Sequence, residues 1–460
     1  MQDCYSGPAG TLGAGICRVG TQTCDDNSAW GVCVGESLPQ IEDCTTPTVD
    51  ENCDHHECGI WGLVFDQGGG GPTLAVANDD GSLVIGGIFS GGLQIGDKTA
   101  AASDDFDAFL ARIDSSGHVE WLKNFGLDAD FLITGANAPD GSVYAAVANT
   151  SPVDFGDGER PAGATLLRIS ASGEVTASRS LGSATPLALR VSAQGRVYVA
   201  GSIDQPIDLG SGQLTPQGSD ILAMNLEPDL TLGAGWIRSF GSLGLDAAYA
   251  LEVDAVGNVY LGGAFENDVD FDSVTARARG AVDAFLVKLS SAGQGVATYV
   301  WGSISGNETI LALGVDAVGS VTVYGRFDTS FTQDSSPVTA VGMSTFLSRV
   351  RFVNADFQLD WAKGFGSFTP AASTASRPNV GVSPNGDVAF TGDAVGAVDL
   401  GTTTLTGFPN HLPAVIKLDK QGNTISGTAR LAVRRVDTRF RRQPLRPAKC
   451  LWSERLKLQA

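Results

Sequence analysis

The sequence predicts an all-β protein: a six-bladed β-propeller that follows a small disulfide-rich N-terminal module. A unit of about 61 residues recurs six times, and each unit holds short apolar runs between glycine turns. Seven cysteines lie within the first 58 residues. With 59 Gly and only 18% charged residues in a chain of 460, helical bundles and coiled coils are excluded. A ring of seven or more blades, its last blades replaced by the C-terminal segment, is the alternative.

Composition divides the chain into three parts, which we expect to be separate domains or segments. Residues 1–58 form the cysteine-rich module, and residues 59–429 form the repeat array, which contains no cysteine. Residues 430–460 hold ten Lys and Arg against two acidic residues, and no glycine. Because charge, glycine content and repeat all change after Ala429, we expect this tail to be disordered or the product of a shifted reading frame. A basic anchor to anionic surface polymers is the alternative.

Each repeat is predicted to contain four short strands. The first strand follows a turn with glycine, as in Asp140-Gly141-Ser142-Val143-Tyr144, and the second is a short segment with an aspartate between apolar residues, as at 153–156. The third is an apolar run such as 108–113, and the fourth begins with tryptophan and ends in aromatic-glycine, as at 121–126. The glycines that anchor the six turns are Gly81, Gly141, Gly195, Gly257, Gly319 and Gly386.

The two ends of the array predict how the ring closes. Residues 61–65 match the fourth-strand pattern ahead of the first unit, whereas the sixth unit has a third strand at 414–418 and then lacks the tryptophan strand. We therefore expect the strand at 61–65 to complete the last blade, since an unpaired strand edge would favour aggregation.

Aromatic residues of the fourth strands recur once per unit at a fixed register. Trp121, Trp236 and Trp361 begin the clearest copies, and Ala177 and Ala297 occupy the same position in two others. A fixed register favours packing between blades. A row of aromatic faces for stacking sugars is the alternative.

The repeats carry a family resemblance. The pattern that runs from Asp107 through Ser116-Gly117 and Trp121 to Phe125-Gly126 resembles the bacterial β-propeller repeat family called SBBP, and the resemblance covers residues 61 to about 425. The segment from Cys4 to Cys33 resembles a cysteine-rich module of large bacterial surface proteins. Proteins of this kind are secreted or lie at the cell surface, mostly without an assigned activity. The resemblance implies an extracellular or cell-surface location.

The cysteines of the module predict disulfides. Their spacing contains no paired C-x-x-C knuckle of the kind that zinc sites commonly use, so a metal cage is the weaker alternative. We expect three disulfides, for which 15 connectivities are open, and one cysteine without a partner. No signal peptide is recognisable, so we expect an upstream segment that carries one. The candidates are Cys4, Cys17, Cys24, Cys33, Cys44, Cys53 and Cys58.

Two acidic stretches are candidate calcium sites. Asp50, Asn52 and Asp54 place oxygen ligands at alternate positions, as the opening of a calcium loop does, but His55 and His56 stand where its turn glycine belongs. A solvated acidic turn is the alternative reading.

The second stretch lies inside the repeat array. Asp268, Asp270 and Asp272 alternate along one predicted strand, and the equivalent copies keep a single aspartate, which favours a turn-capping role over a cation site. We expect no cofactor other than calcium at one of these stretches.

The net charge and the residue composition limit the classes of function that the chain can have. The net charge of -21 repels phosphate backbones and anionic lipid, so nucleic acid is an unsuitable partner. No apolar run approaches the ~18 residues of a membrane span. Four histidines and no Ser-His-Asp pattern leave no catalytic residue to name.

These observations predict a binding or scaffold protein, monomeric, with a protein or glycan ligand at the cell surface. An extracellular enzyme that uses carboxylates or a cation in the propeller loops, similar to a glycosidase, is the alternative.

Overall fold

Only β-strands form regular structure in the described part of the chain, and they build the predicted six-bladed β-propeller. Nowhere in this part is there a helix long and apolar enough to span a membrane. The computed structural model describes residues 2–8, 11–23, 30–40, 49–51, 53, 65–78, 80–103, 106–126, 131–339, 344–366, 368–369, 380–400 and 404–429.

The N-terminal module is held by disulfides. Its strands β1 (Gln2–Cys4) and β2 (Gly20–Gln22) pair antiparallel, and disulfides join Cys4 to Cys33 and Cys17 to Cys53. The second disulfide is buried, so it forms the centre of a domain too small to have a large apolar core. The disulfide prediction is confirmed for these pairs. The other candidates, Cys24, Cys44 and Cys58, lie outside the described residues.

Each blade is a twisted antiparallel sheet made from consecutive strands. Blade one contains β3 (Phe65–Ala77), β4 (Leu83–Ile95), β5 (Lys98–Ala101), β6 (Asp107–Ile113) and β7 (Val119–Phe125). Blade two contains β8 (Phe131–Asn137), β9 (Val143–Asn149), β10 (Val153–Asp154), β11 (Glu159–Arg160), β12 (Gly163–Ile169) and β13 (Val175–Gly182). Blade three contains β14 (Thr185–Val191), β15 (Val197–Ile203), β16 (Ile207–Asp208), β17 (Gln213–Leu214), β18 (Asp220–Leu226) and β19 (Trp236–Phe240).

The second half of the ring repeats this plan. Blade four contains β20 (Ala247–Val253), β21 (Val259–Phe265), β22 (Val269–Phe271), β23 (Val274–Ala276), β24 (Asp283–Leu289) and β25 (Gly295–Trp301). Blade five contains β26 (Glu308–Val315), β27 (Val321–Phe327), β28 (Phe331–Gln333), β29 (Ser336–Val338), β30 (Ser344–Val353) and β31 (Asp356–Phe365). Blade six contains β32 (Phe368–Thr369), β33 (Val380–Val382), β34 (Val388–Asp399), β35 (Thr404–Leu418) and β36 (Thr424–Ala429).

The sequence prediction placed the strands within a blade incorrectly. The segment 153–156, which we expected to be the second blade strand, begins a short two-stranded ribbon (β10 with β11) that pairs separately from its blade. The blade instead begins one strand earlier, with an inner strand such as β14 or β20 that precedes the glycine turn. Strands β14 and β20 contain neither glycine nor tryptophan, and no inner strand follows a recurring glycine turn of its own, which is why the pattern missed them.

Ring closure by the strand at 61–65 is also corrected. The last blade has its own outer strand, because β36 pairs with β35 in the register that joins Ala414 to Ala429. Phe65 pairs instead with Ile95 inside blade one. Residues 61–64 lie outside the described residues. Each of the six blade sheets is thus formed by strands of one continuous stretch of the chain.

The apolar cores lie between neighbouring blades. One buried cluster joins Leu166 and Leu181 of blade two to Leu222 of blade three, and another joins Phe240 of blade three to Phe285 of blade four. Apolar burial therefore holds adjacent sheets face to face, which fixes the loops at their ends on a rigid support.

Tryptophans of the outer strands bind the following blade. Nε1 of Trp121 donates a hydrogen bond of 2.9 Å to the carbonyl oxygen of Ala171, and Trp236 donates in the same way to Ser291. The ring of Trp236 lies on Gly293, where an added Cβ would come within 2.6 Å of it. The interpretation of these aromatics as packing between blades is confirmed.

Tryptophans and small residues alternate around the ring. Trp361 of blade five donates to Lys420 of blade six at 3.0 Å, so this contact joins the blades in the pairs one and two, three and four, five and six. At the equivalent register position the six outer strands carry, in order, Trp121, Ala177, Trp236, Ala297, Trp361 and Ser426.

Antiparallel order places the connections at two ends of the ring. The turn face holds the turns within each blade that precede its second and fourth strands. There Arg112 pairs with Asp80 at 2.9 Å and donates to the carbonyl oxygen of Gly141 in the next blade at 3.0 Å. Later blades carry Arg168–Asp140, Lys288–Asp254, Arg349–Asp316 and Lys417–Asp387 here, and in blade three the order is reversed, since Arg196 of the glycine turn pairs with Glu227.

Candidate functional site

The opposite end, which we call the ribbon face, has a different charge. It holds the short ribbons and the connections between blades, and in blades three to five these are residues 204–220, 241–247, 266–283, 302–308 and 328–339. These segments contain twelve acidic residues and two arginines. On the turn face one acid in each blade pairs with a cation, whereas in these ribbon-face segments only Asp268 has an ion pair within the described residues. The ribbon face therefore has a negative potential that the fold does not neutralise.

A groove lies on this face at the junction of blades three and four. It encloses about 460 Å³ and has Leu243 and Leu245 on one side and the carboxylates of Asp204 and Glu266 among its polar walls. Neither carboxylate lies within ion-pair distance of a Lys or Arg in the described chain. The remaining lining residues are Thr185, Ser202, Gly218, Ser219 and Gly244.

Hydrogen bonds to a buried carboxylate hold the loop that carries the two leucines. The buried carboxylate of Asp246 accepts hydrogen bonds from the backbone N–H of Ser242 at 2.6 Å, its hydroxyl at 2.9 Å and the N–H of Glu266 at 3.0 Å. A parallel bridge joins Ser219 to Leu245. These bonds hold the loop in place and leave the side chains of Leu243 and Leu245 exposed.

The next junction repeats this arrangement. Glu308, fully buried, accepts hydrogen bonds from the backbone N–H and the hydroxyl of Ser303 at 3.2 and 2.9 Å. Asn307 pairs by a parallel bridge with Val282 and donates its N–H to Asp328 at 2.9 Å. Two adjacent blade junctions therefore present the same rigid, carboxylate-anchored loop.

Both anchoring carboxyls have perturbed acidity. Burial is the largest cause in each case, and it raises the pKa of Glu308 to about 7 and the pKa of Asp246 above its ordinary value. The negative charges of Asp283 and Asp328 raise the pKa of Glu308 further, while the bonds from Ser303 oppose the rise. Because the side chain of Glu308 has no exposed surface, it supports the loop rather than contacting a ligand.

The anchored loops expose large apolar side chains. Leu243 is 80% exposed, Leu245 66% and Ile304, which takes the place of Leu243 at the next junction, 90%. A rigid loop that holds such side chains in water loses the stability that their burial would add, about 2 kcal/mol for each. Sequence reasoning missed these residues. The signal was a branched apolar residue inside a Gly-Ser turn, at Gly241-Ser242-Leu243 and Gly302-Ser303-Ile304.

The candidate metal ligands on the ribbon of blade four lie on its exposed side. Asp268 pairs with Arg277 at 3.1 Å, and Asp270 accepts a hydrogen bond from the hydroxyl of Thr275 at 2.5 Å. Asp272 occupies the turn with a φ of 59°. Within the described ranges no three His, Cys, Asp or Glu side chains are grouped closely enough to hold a metal. Calcium at these residues stays a prediction.

The N-terminal metal candidates are only partly described. Asp50 is buried in the module, whereas Asn52 and Asp54 lie outside the described residues. The proposed calcium loop at this place stays a prediction as well.

The central channel is a second concave surface. It encloses about 1100 Å³ and is lined by the inner strands of blades one to five. In each of these strands the register shifts where the strand passes the channel, so that a β-bulge adds one residue there; β3 has a second shift at Gln67–Gly69. The bulged residues that line the channel are Thr73, Leu187, Tyr249 and Leu311. The backbone is repeated, but the lining side chains differ in size and polarity.

Comparison with known proteins supports no assignment beyond the fold. No family model and no curated protein sequence matches the chain. Among solved structures, hydrazine synthase of Kuenenia stuttgartiensis is similar with a TM-score of 0.42 and 10% identity, over 76% of this chain and 77% of that one. The Dos1 propeller has a TM-score of 0.35 and 11% identity, over 76% of this chain and 96% of that one. A Bacteroides caccae protein of unknown function has a TM-score of 0.32 and 12% identity, over 79% of this chain and 83% of that one.

Proposed function

We propose that this protein is a secreted or cell-surface binding protein whose propeller holds a protein or glycan partner on the ribbon face of blades three to five. The observation that carries the proposal is the exposure of Leu243, Leu245 and Ile304 on loops that hydrogen bonds to the buried carboxylates of Asp246 and Glu308 hold in place. Apolar side chains fixed in this way bind a partner without the entropy loss of ordering a flexible loop.

The location rests on the disulfides. Two disulfides in the N-terminal module indicate an oxidising environment, since cytosolic thiols are kept reduced. A location outside the cell also agrees with the resemblance of the repeats to those of bacterial surface proteins. The partner is then a molecule of the cell exterior, a protein or a glycan.

The test compares exposed apolar residues on the two faces of one molecule. The full chain is screened on a glycan array and on a displayed peptide library, beside a variant with Leu243→Ser, Leu245→Ser and Ile304→Ser. The control variant changes Val256→Ser and Val318→Ser, which are similarly exposed but lie on the turn face. We expect bound probes to be lost by the first variant and kept by the second.

Two results would contradict the proposal. Retention of every bound probe by the ribbon-face variant would place binding elsewhere on the molecule. Hydrolysis of glycan or peptide probes by the same sample would favour the enzymatic alternative instead.

A further inference from the structure

The groove at the junction of blades three and four combines an apolar wall with unneutralised carboxylates. Leu243 and Leu245 form the wall, and Asp204 and Glu266 face the same space of about 460 Å³. The hydroxyls of a neutral sugar could donate hydrogen bonds to these carboxylates, but a sugar carries no positive charge to neutralise them. A cation carried on an aliphatic stem matches both, because lysine and arginine bury their methylenes and keep the charged group beyond them.

We propose that this groove receives a lysine or arginine side chain of a partner protein, from a segment whose neighbouring apolar residues pack on Leu243 and Leu245. The inference rests on the proposed function and names its partner class. The cationic group lies between the carboxylates of Asp204 and Glu266, where it supplies the opposite charge that this chain does not provide.

Contacts within the protein fix the shape of the groove before a partner binds. Gly218 and Gly244 line its floor at close quarters, since a Cβ on Gly218 would come within 2.3 Å of the carbonyl oxygen of Gly244. The hydroxyl of Ser242 binds the carbonyl oxygen of Glu266 at 2.8 Å, which locks one carboxylate-bearing residue to the leucine loop. The charge and the apolar wall therefore keep a constant spacing.

Charge decides between the classes of partner. The ribbon-face segments of blades three to five carry twelve acidic residues against two arginines, and the whole chain carries -21. Such a surface attracts cationic segments over long distances and repels acidic glycans and phosphate groups. The negative potential attracts basic segments to the ribbon face. Leu243 and Leu245 then favour those segments that also carry apolar residues.

The test uses defined peptides and the full chain. The probe is a twelve-residue fluorescent peptide that alternates leucine and lysine, compared with one that replaces leucine by serine and one that replaces lysine by glutamate. Fluorescence anisotropy measures the dissociation constants at low and physiological salt. We expect the leucine-lysine peptide to bind at least about tenfold more tightly than either relative, with affinity that falls as salt rises.

Substitutions test whether the peptide binds in the groove. Asp204→Asn changes a side chain that has no hydrogen bond or ion pair among the described residues, and Glu266→Gln changes one that accepts a hydrogen bond from the N–H of Leu245 at 3.4 Å. Each should weaken binding by about tenfold, and Leu243→Ser should do the same without affecting the salt dependence. A matched control, Asp97→Asn with Glu174→Gln, removes two exposed carboxylates outside the groove and should change affinity by less than about twofold. Unchanged melting curves show that each variant is folded.

Several results would overturn the inference. Equal loss in the control would show only nonspecific attraction, and equal binding of the serine-lysine peptide would remove the apolar wall from recognition. Peptides that do not bind while glycan probes still require the ribbon face would contradict this inference and leave the proposed function standing. Tighter peptide binding by the full chain with Arg439→Gln, Arg441→Gln and Arg442→Gln would assign the groove to the chain's own basic tail.

Discussion

Replacing the buried Glu308 by glutamine should make the propeller more stable at alkaline pH. The pKa of this carboxyl is about 7 in the folded protein against 4.5 in the unfolded chain. The folded state therefore binds more protons than the unfolded state between these values, and the stability of the wild type falls as pH rises through that window. Glutamine can accept from the backbone N–H of Ser303 with its amide oxygen and donate to the Ser303 hydroxyl oxygen with its amide nitrogen. It does not titrate, so its stability lacks this fall.

The size of the effect follows from the shift. A rise in pKa from 4.5 to about 7 costs the wild type about 3 kcal/mol at high pH, since one pKa unit corresponds to about 1.4 kcal/mol. Between about pH 5.5 and about pH 8.5 the stability difference between Glu308→Gln and wild type should widen by about 2 kcal/mol, and it should then stay level.

Urea unfolding followed by tryptophan fluorescence, at several pH values in this range, measures that difference. The amide nitrogen shift of Ser303, which donates to Glu308, gives the titration midpoint directly by NMR. Asp97→Asn, which removes one exposed carboxylate, controls for the change in net charge. A difference between Glu308→Gln and wild type that stays constant across the range, or an amide midpoint near 4.5, would refute the reasoning.

Three further predictions concern the framework. Trp236→Ala should cost about 3 kcal/mol in urea unfolding, because it removes a hydrogen bond and a packed ring between blades three and four; a change below about 1 kcal/mol would contradict that role. Replacing Cys17 and Cys53 by serine opens a link across 36 residues worth about 4 kcal/mol, and limited proteolysis should then cleave the module many times faster. Removing residues 430–460 should leave the melting temperature unchanged, whereas removing residues 424–460 should lower it and cause aggregation, since β36 is lost; equal effects would be inconsistent with this strand assignment.

The number of blades could be predicted from the sequence because its markers are set by local backbone geometry. Gly141 and Gly257 have φ values of 79° and 86°, a conformation that few other residues adopt, so a glycine recurs wherever the turn recurs. The inner strand β20 has no such marker. Its sequence, Ala-Ala-Tyr-Ala-Leu-Glu-Val, has weak strand preference, and pairing with β21 decides its structure.

The outer strand of the last blade was missed for a similar reason. Thr424–Ala429 has Ser426 where a tryptophan was expected, so it did not match the repeat, although its backbone pairs with β35 as in every other blade. The candidate site was harder to predict still. Leu243 stands in a glycine-serine turn, and only the hydrogen bonds of Asp246 show that this turn is rigid and that the leucine is held in solvent.

The alternation of tryptophan with alanine or serine gives the ring a hidden threefold symmetry. Trp121, Trp236 and Trp361 are spaced by 115 and 125 residues, twice the length of one blade. Duplication of a two-blade cassette would leave such an alternation. A cassette such as residues 185–301 contains a complete tryptophan clasp, so three separate copies of it have the parts needed to assemble the ring as a cyclic trimer.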